Sequence, residues 1–366
     1  MRLTRIALSN VRNYSTLDFA PVAGLNVFVG ANAQGKSNLL EAISLLGTGK
    51  SFRTTKEADL IKTGLEVASI SGEAQLRAGT IRLSCTVTDT LRGTRKIYTV
   101  NGEAVKYAKF LGSAKVVTFI PSDLQLVSGA PALRRSMLNT ALAQDEPQYY
   151  HHLVRYQKAV TQKNALLRGT VEPDPGLLDI YNHALIDAGT ELMLSRAHFV
   201  GALDRAAQTV HRTWIQTEEK LALRYAPNVT YEVPTADAVG AAFMARLAER
   251  REAEFARKVC LVGPHRDDVE FLLDDASLSA YGSQGQQRTA VLALKVAEYT
   301  VMHERSAEAP LLLLDDVLSE LDPQRAHAFL AGVGSYEQAF MTTTALPGDL
   351  PAAAIYRITS AKVEPA

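Results

Sequence analysis

Hydrophobic positions along this chain change their period twice. Over the first 120 residues they alternate with polar ones or gather in short runs. RIALSNVRNY alternates as a half-buried strand does, whereas LNVFVG is a continuous apolar run ending in glycine. ASISGEAQL, IRLSCTVTD and KIYTVNGEAV, between Ala68 and Val105, predict short antiparallel strands. Asn101 and Gly102 predict a type I′ hairpin, since both residues tolerate positive φ. VVTFI, closed by Pro121, predicts one more apolar strand. From Ala132 to about Arg224 the period becomes helical, interrupted mainly by VEPDPG at 171–176. Leu178, Tyr181, Leu185, Ala188 and Leu192 recur three to four apart and mark one buried helix face. Sustained heptads are missing, so a long coiled coil is not expected. Pro227–Pro234 reads as a strand or linker, and Ala236–Lys258 as a further helix. After residue 260 strands and helices alternate again: LVGP and VEFLL, a helix through TAVLALKVAEYTVMHE, the strand LLLLDD, a helical stretch over 323–332 and the strand QAFMTTT.

Composition narrows the class without choosing the function. With 366 residues and 47% hydrophobic content the chain can bury a sizeable core and form two domains. No 18-residue apolar run suggests a membrane span, and MRLTRIALSN lacks the apolar segment of an export signal. Cys85 and Cys260 are too few for a disulfide framework or a zinc cluster, which points to a reducing, cytoplasmic setting with both thiols in the core. Net charge is zero, but residues 1–115 carry sixteen Lys and Arg against eight Asp and Glu. A basic N-terminal lobe suits a polyanion, although such surpluses also occur on proteins that bind none.

Three segments carry the chemistry. GANAQGKS, Gly30–Ser37, fits G-x-x-x-x-G-K-[ST] at every defined position and lies between an apolar strand and a helix. Its backbone N–H groups, from Gly30, Ala31, Asn32, Ala33, Gln34 and Gly35 on to Asn38, suit a cradle for phosphates. Lys36 suits the β- and γ-phosphates, and the Ser37 hydroxyl suits Mg²⁺. LLLLDD places Asp315 and Asp316 at the C-terminal end of a strand buried on both faces, the edge where open α/β sheets hold ligands. Asp315 is the candidate Mg²⁺ carboxylate and Asp316 the candidate for polarising the attacking water; capping of the next turn is the structural alternative for either. YGSQGQQR, Tyr281–Arg288, spaces Ser283 and Gln286 as a capping box does. That helix start offers a second anion-binding end. One nucleotide is already served by the Lys36 loop, so a second end makes sense if it faces a nucleotide held by another subunit.

The phosphate loop, a signature just before the second carboxylate strand, and SELD at 319–322 resemble the ABC-type ATPases of the SMC class. Within that class the combination RNY, GKSFR, GPHRDD, YGSQGQQR and LLLLDDVLSELD is similar to the RecF family over essentially the whole chain. The resemblance implies an α/β fold: an ABC-type, SMC-like P-loop ATPase head with an antiparallel β subdomain, formed by residues 1–125 and 260–366. A mainly helical domain, 126–259, is inserted where relatives have a coiled coil. It implies an ATP- and Mg²⁺-dependent protein of DNA replication, repair and recombination that dimerises head to tail on binding ATP and hydrolyses it slowly. Partners implied are DNA (duplex and single-strand/duplex junctions), RecR and RecO, and indirectly RecA, with no membrane and a nucleoid-associated, cytoplasmic place. An SMC-like switch acting mainly through proteins, with weak DNA contact, is the alternative.

By the same resemblance Asp315, Asp316 and Lys36 are catalytic, Ser37 and Asp315 hold the metal, Ser283, Gly285 and Gln286 form the signature contact, supported by Gln287 and Arg288, and Asp322 belongs to the loop across the interface. An obvious Q-loop glutamine is absent; Asp123 and Gln125 are the two candidates. The switch histidine is replaced by Thr343 or Thr344. Arg12 and Arg53 are candidates for nucleotide contact, and Arg266 suits a pair with Asp267 or Asp268 or an interface contact; an ordinary structural role stands equally beside each. His265 reads as structural.

Overall fold

The computed structural model describes residues 1–366 apart from 92, 170–173, 215–217, 307, 322–325, 331–335, 347, 349 and 351–352. The chain divides into two compact units, Met1–Leu124 with Thr213–Gln216 and Val291–Ala366, and Gln125–Arg212 with Thr217–Ala290.

The first unit contains two six-stranded sheets of opposite character. β1 (Arg2–Val11), β2 (Tyr14–Phe19), β4 (Val67–Leu76), β5 (Gly79–Thr90), β6 (Gly93–Val100) and β7 (Glu103–Val105) form an antiparallel sheet in the order β2-β1-β4-β5-β6-β7. Buried positions alternate along β4 and β5, as one wet and one packed face require. Asn101 and Gly102 turn between β6 and β7 with φ of 52° and 86°, the expected hairpin. The other sheet runs β15-β14-β3-β13-β12-β8, with β3 (Gly24–Val29), β8 (Val116–Phe119), β12 (Leu311–Asp315), β13 (Gln338–Thr343) and β14 (Ala353–Thr359) parallel and β15 (Lys362–Pro365) antiparallel at the edge. Its central strands β12 and β13 are buried at every position, which is why their sequences are runs rather than alternations. Helix α1 (Lys36–Thr48) follows β3 and contributes Leu39, Leu40, Ile43, Leu45 and Leu46 to a core shared with Ile6, Ile70 and Cys85 of one sheet and Phe28, Leu313 and Phe340 of the other.

The second unit is mainly helical. α2 (Pro131–Asp145) and α3 (Pro147–Leu167) each begin with proline at the first helical position, where no N–H is required. α4 (Pro175–Trp214) buries Leu178, Leu185, Ala188 and Leu192, with Tyr181 half-buried on the same face. α5 (Ala236–Arg257) is capped by the Thr235 hydroxyl and ends at Lys258 in the left-handed region. β9 (Leu221–Ala226), β10 (Asp268–Leu273) and β11 (Ala276–Ser277) form a small antiparallel sheet. A final helix, α6 (Gln284–Ser306), starts in the second unit and ends in the first.

Three expectations change. The end of the helix-prone stretch, Leu221–Ala226, is a strand, and of the two readings of 227–234, strand or linker, the linker holds. Six residues with half-exposed neighbours are too short for either period to register. Residues 260–290, read as the start of the returning ATPase half, pack with the second unit, because VEFLL pairs antiparallel with β9 instead of joining the parallel sheet. Of the helical stretch at 323–332, residues 326–330 are helical and the rest lie outside the described residues, as does the first half of VEPDPG, 171–173.

Candidate nucleotide site

The phosphate loop is shaped by close backbone approaches. A Cβ at Gly30 would lie 2.4 Å from the Ile358 carbonyl oxygen, so only glycine fits there. Gly35 has φ 112°, and a Cβ on it would strike the Asn13 amide. Side chains from the turn between β1 and β2 hold the loop from one side. Asn13 Nδ2 donates to the Gln34 carbonyl at 3.2 Å, and the Tyr14 hydroxyl donates to the Gly35 carbonyl at 3.1 Å. The turn between β14 and β15 holds Gln34 from another: the Ala361 N–H donates to its carbonyl at 3.0 Å, and the Ser360 N–H to its Oε1 at 2.7 Å. Gln34 is therefore a brace whose side chain points at protein, while Ala31, Asn32 and Ala33 are exposed.

Lys36 folds back over the loop, its Nζ donating to the Gly30 and Ala31 carbonyls at 2.6 and 2.8 Å. Burial pushes its pKa down, opposed by the charges of Asp316 and Asp315. The ammonium is thus held at the loop by weak carbonyl acceptors, for which phosphate oxygens are stronger replacements.

β12 delivers Asp315 to the same place. The Ser37 hydroxyl donates to Asp315 Oδ1 at 2.7 Å and Thr342 Oγ1 donates to that oxygen at 2.8 Å. The Asp316 N–H donates back to Thr342 Oγ1 at 2.9 Å. Asp316 sits in the left-handed region, φ 51°, ahead of a single helical turn, Val317–Glu320, to which its side chain gives no cap. The capping alternative therefore fails for Asp316. Thr342, not among the candidates read from sequence, bridges Asp315 and Asp316; of the two candidates for the switch position, Thr343 bonds the Ala345 carbonyl and Thr344 is exposed. Two hard oxygen donors, Ser37 Oγ and Asp315 Oδ1, already converge, so this pair fits Mg²⁺. Among the described residues no group of three or more His, Cys, Asp or Glu side chains could hold a metal, so phosphate and water oxygens would complete the ligand set.

The arginines part company. Arg12 is committed to Glu41, a bidentate pair at 2.8 and 2.9 Å whose carboxylate is almost fully buried in α1 and is also bonded by Ser51. Arg53 is exposed and reaches Asn38 Oδ1, while Asn38 Nδ2 donates to Asn13 at 2.8 Å. Asp123 accepts the Ile120 N–H at 3.0 Å and burial raises its pKa against the pull of Lys295; Gln125 is exposed in the second unit. Neither position takes on a defined role here.

In the second unit the signature segment closes on itself. The Ser283 N–H donates to Gln286 Oε1 at 2.9 Å and the Gln286 N–H donates to Ser283 Oγ at 3.2 Å, a reciprocal capping box at the start of α6. Gln286 Nε2 also donates to Glu219 at 2.8 Å, and Gln287 Nε2 bonds the Leu278 and Gly282 carbonyls. Thr289 bonds the Gly285 carbonyl at 2.9 Å. Asp322 lies outside the described residues.

GPHRDD is a structural knot. Asp267, 1% exposed, accepts Arg196 at 2.9 Å, the Asn228 N–H at 2.8 Å and the Tyr225 hydroxyl. Asp268 receives the Arg134 fork at 2.5 and 2.8 Å. Arg266 pairs with neither; its guanidinium reaches the Cys260 carbonyl at 3.3 Å. His265 bonds Tyr156 and the Cys260 carbonyl, and burial pushes its pKa down to about 4, so it is neutral and structural.

The family model for the RecF/RecN/SMC N terminal domain matches residues 2–362. The chain is 44% identical over 352 residues to the DNA replication and repair protein RecF of Symbiobacterium thermophilum, covering 94% of this chain and 92% of that one. It is also 44% identical over 350 residues to the protein of that name from Thermosynechococcus vestitus, covering 94% and 91%. Among solved structures it superposes on the recombination mediator protein RecF-ATP of the RecFOR pathway with a TM-score of 0.91 and 30% identity, over 100% of this chain and 97% of that one. An SMC head bound to the C-winged helix domain of ScpA matches at 0.52 and 15% identity over 100% and 98%, a likeness of fold alone. The fold is that of the SMC-like ABC-type ATPase head, and the chain belongs to the RecF family.

Proposed function

We propose that this protein is an ATP-driven DNA-binding switch of replication and repair, whose two copies join head to tail around nucleotide. The contact between Ser37 and Asp315 carries the reading: it brings the phosphate loop and the buried carboxylate strand, 278 residues apart in sequence, to one point. Loop N–H groups and Lys36 bind and orient the phosphates of ATP. Ser37 and Asp315 would hold Mg²⁺, which neutralises developing charge on the phosphates. Asp316, next along the chain and fixed through its N–H by Thr342, orients the attacking water. Shortened by one methylene relative to the glutamate usual in ABC ATPases, it favours slow, switch-like turnover.

The exposed start of α6 supplies the second half of each pocket. Ser283, Gly285 and Gln286 face the nucleotide of the other copy, and Asp322 joins across the same interface. In cells the ATP-bound dimer acts at the nucleoid on duplex DNA and single-strand gaps, with RecR and RecO, to promote RecA loading. DNA contact draws on the basic N-terminal lobe, in which Arg5, Arg12, Arg82 and Lys96 form ion pairs within the chain.

Mass measurement in solution tests this. The wild-type chain should be monomeric without nucleotide and dimeric with ATP and Mg²⁺, and Asp316→Asn should accumulate the ATP-bound dimer. A nucleotide-bound, DNA-active form that stays monomeric sinks the composite pocket. Loss of duplex retention that does not depend on salt would favour a switch acting through protein partners.

A further inference from the structure

The helical unit contains a second candidate anion site that the nucleotide chemistry leaves unused. A cavity of about 220 Å³, with polar side chains beside the apolar Ala132, Leu153 and the Tyr156 ring, opens between α2, α3, α4 and His265. One face of α2 lines it with Arg135, Ser136 and Asn139, at i, i+1 and i+4, while α3 adds Gln157 and α4 adds Arg196. Among the described residues no carboxylate lines this cavity.

Hydrogen bonding leaves donors pointing inward. Arg196 is 2% exposed and spends its guanidinium on Tyr149, the Pro264 carbonyl, Asp267 and Asn139 Oδ1. Asn139 Oδ1 accepts both this bond and the Tyr149 hydroxyl, so its amide N–H₂ remains over. Arg135 commits a single N–H, to the Asp267 carbonyl at 2.8 Å. Charge is unbalanced in the same direction. Asp267 and Asp268 are taken by Arg196 and Arg134, which leaves Arg135 and Arg266 without a carboxylate partner among the described residues. Burial is the main cause pushing the Arg135 pKa down, joined by Arg196 and Arg266 and opposed by Asp268 and Asp267. A site of donors and surplus guanidinium charge on three rigid helices is built for a tetrahedral oxyanion.

We propose that this cavity binds a phosphate group, with Arg135 forking two of its oxygens and Ser136 and Asn139 donating to the others. The source is either a free phosphate compound or the backbone of DNA, and the site is independent of the phosphate loop. The test uses Lys36→Met protein, which silences that loop, with inorganic pyrophosphate followed by calorimetry and a labelled gapped duplex followed by anisotropy. At least one probe should bind saturably, and Arg135→Gln should weaken it about tenfold. Ser136→Glu, at an exposed position, should do the same without touching the Asp267 contact, and covers the case in which Arg135→Gln fails to fold. Loss confined to pyrophosphate identifies a free anion. Loss on the duplex, with the salt dependence reduced by about one charge, identifies a backbone phosphate. Absence of saturable binding, or unchanged affinity for both probes in the variants, overturns the assignment.

Discussion

Two helices of this molecule begin at glycine-bearing, phosphate-suited segments, and they are built in opposite ways. The start of α1 is braced from outside: Asn13, Tyr14, Ser360 and Ala361, from segments far apart in sequence, fix the backbone of Gln34 and Gly35. The start of α6 is satisfied from inside, by Ser283 and Gln286 capping one another, with Glu219 as a neighbour. A braced loop holds its N–H groups open for a ligand before the ligand arrives, which lowers the ordering cost of binding. A self-capped end keeps the helix intact when nothing is bound, but any phosphate it receives must compete with its own cap. The first arrangement suits tight capture of nucleotide. The second suits a contact made and broken as copies associate and part.

The largest effects should separate the two ends cleanly. Lys36→Met removes the ammonium that replaces two carbonyl acceptors with phosphate oxygens, so ATP affinity should fall on the order of a hundredfold or more, measured by calorimetry. Ser283→Arg should leave ATP binding by the monomer unchanged while the ATP-dependent dimer disappears from mass measurements. Normal dimerisation of that variant would remove α6 from the nucleotide interface. Should Lys36→Met dimerise normally instead, the ATP requirement itself is in error.

How far these features show in sequence depends on whether the partners are neighbours in the chain. Gly30–Ser37 and LLLLDD are contiguous, and Ser283 and Gln286 lie three residues apart, so their chemistry reads directly from spacing. The brace on Gln34 does not, because its donors come from two distant turns. The bond from Thr342 to Asp315 is not legible in QAFMTTT, since only the pairing of β13 with β12 shows which threonine faces that carboxylate. In GPHRDD adjacency does not choose the partner: Arg266 stands beside Asp267, yet Asp267 takes Arg196 from 71 residues away. The sheets follow the same logic, with β4 and β5 legible from alternation and β12 from its run of leucines. β9 is six residues long and adjoins a helix, so neither period had room to show.

A smaller effect measures how much the outside brace is worth. Asn13→Ala deletes the bond to the Gln34 carbonyl and the acceptor for Asn38, each worth about 1 kcal/mol net. ATP affinity should drop about five- to tenfold with dimerisation of the saturated protein retained. An unchanged affinity would mean that the C-terminal turn holds the loop alone, and Gln34→Ala, which removes the Oε1 that accepts the Ser360 N–H, would then carry the loss.

The smallest effect is the sharpest test of the self-capped end, because its sign decides between two roles for Glu219. The carboxylate orients Gln286 by accepting from Nε2, and it also places a negative charge beside the helix start where a phosphate would arrive. Glu219→Gln keeps an acceptor oxygen and deletes the charge. If charge dominates, dimers should form at about two- to fivefold lower ATP, an effect of about 0.4 to 1 kcal/mol for a half-exposed group, fading as salt is raised. If orientation dominates, the variant should dimerise as well as wild type, whereas Glu219→Ala, which leaves Gln286 without its acceptor, should dimerise less readily. The two variants shifting in opposite directions would show a cap that both shapes the helix start and holds it closed to phosphate until a partner copy supplies enough binding energy to displace it.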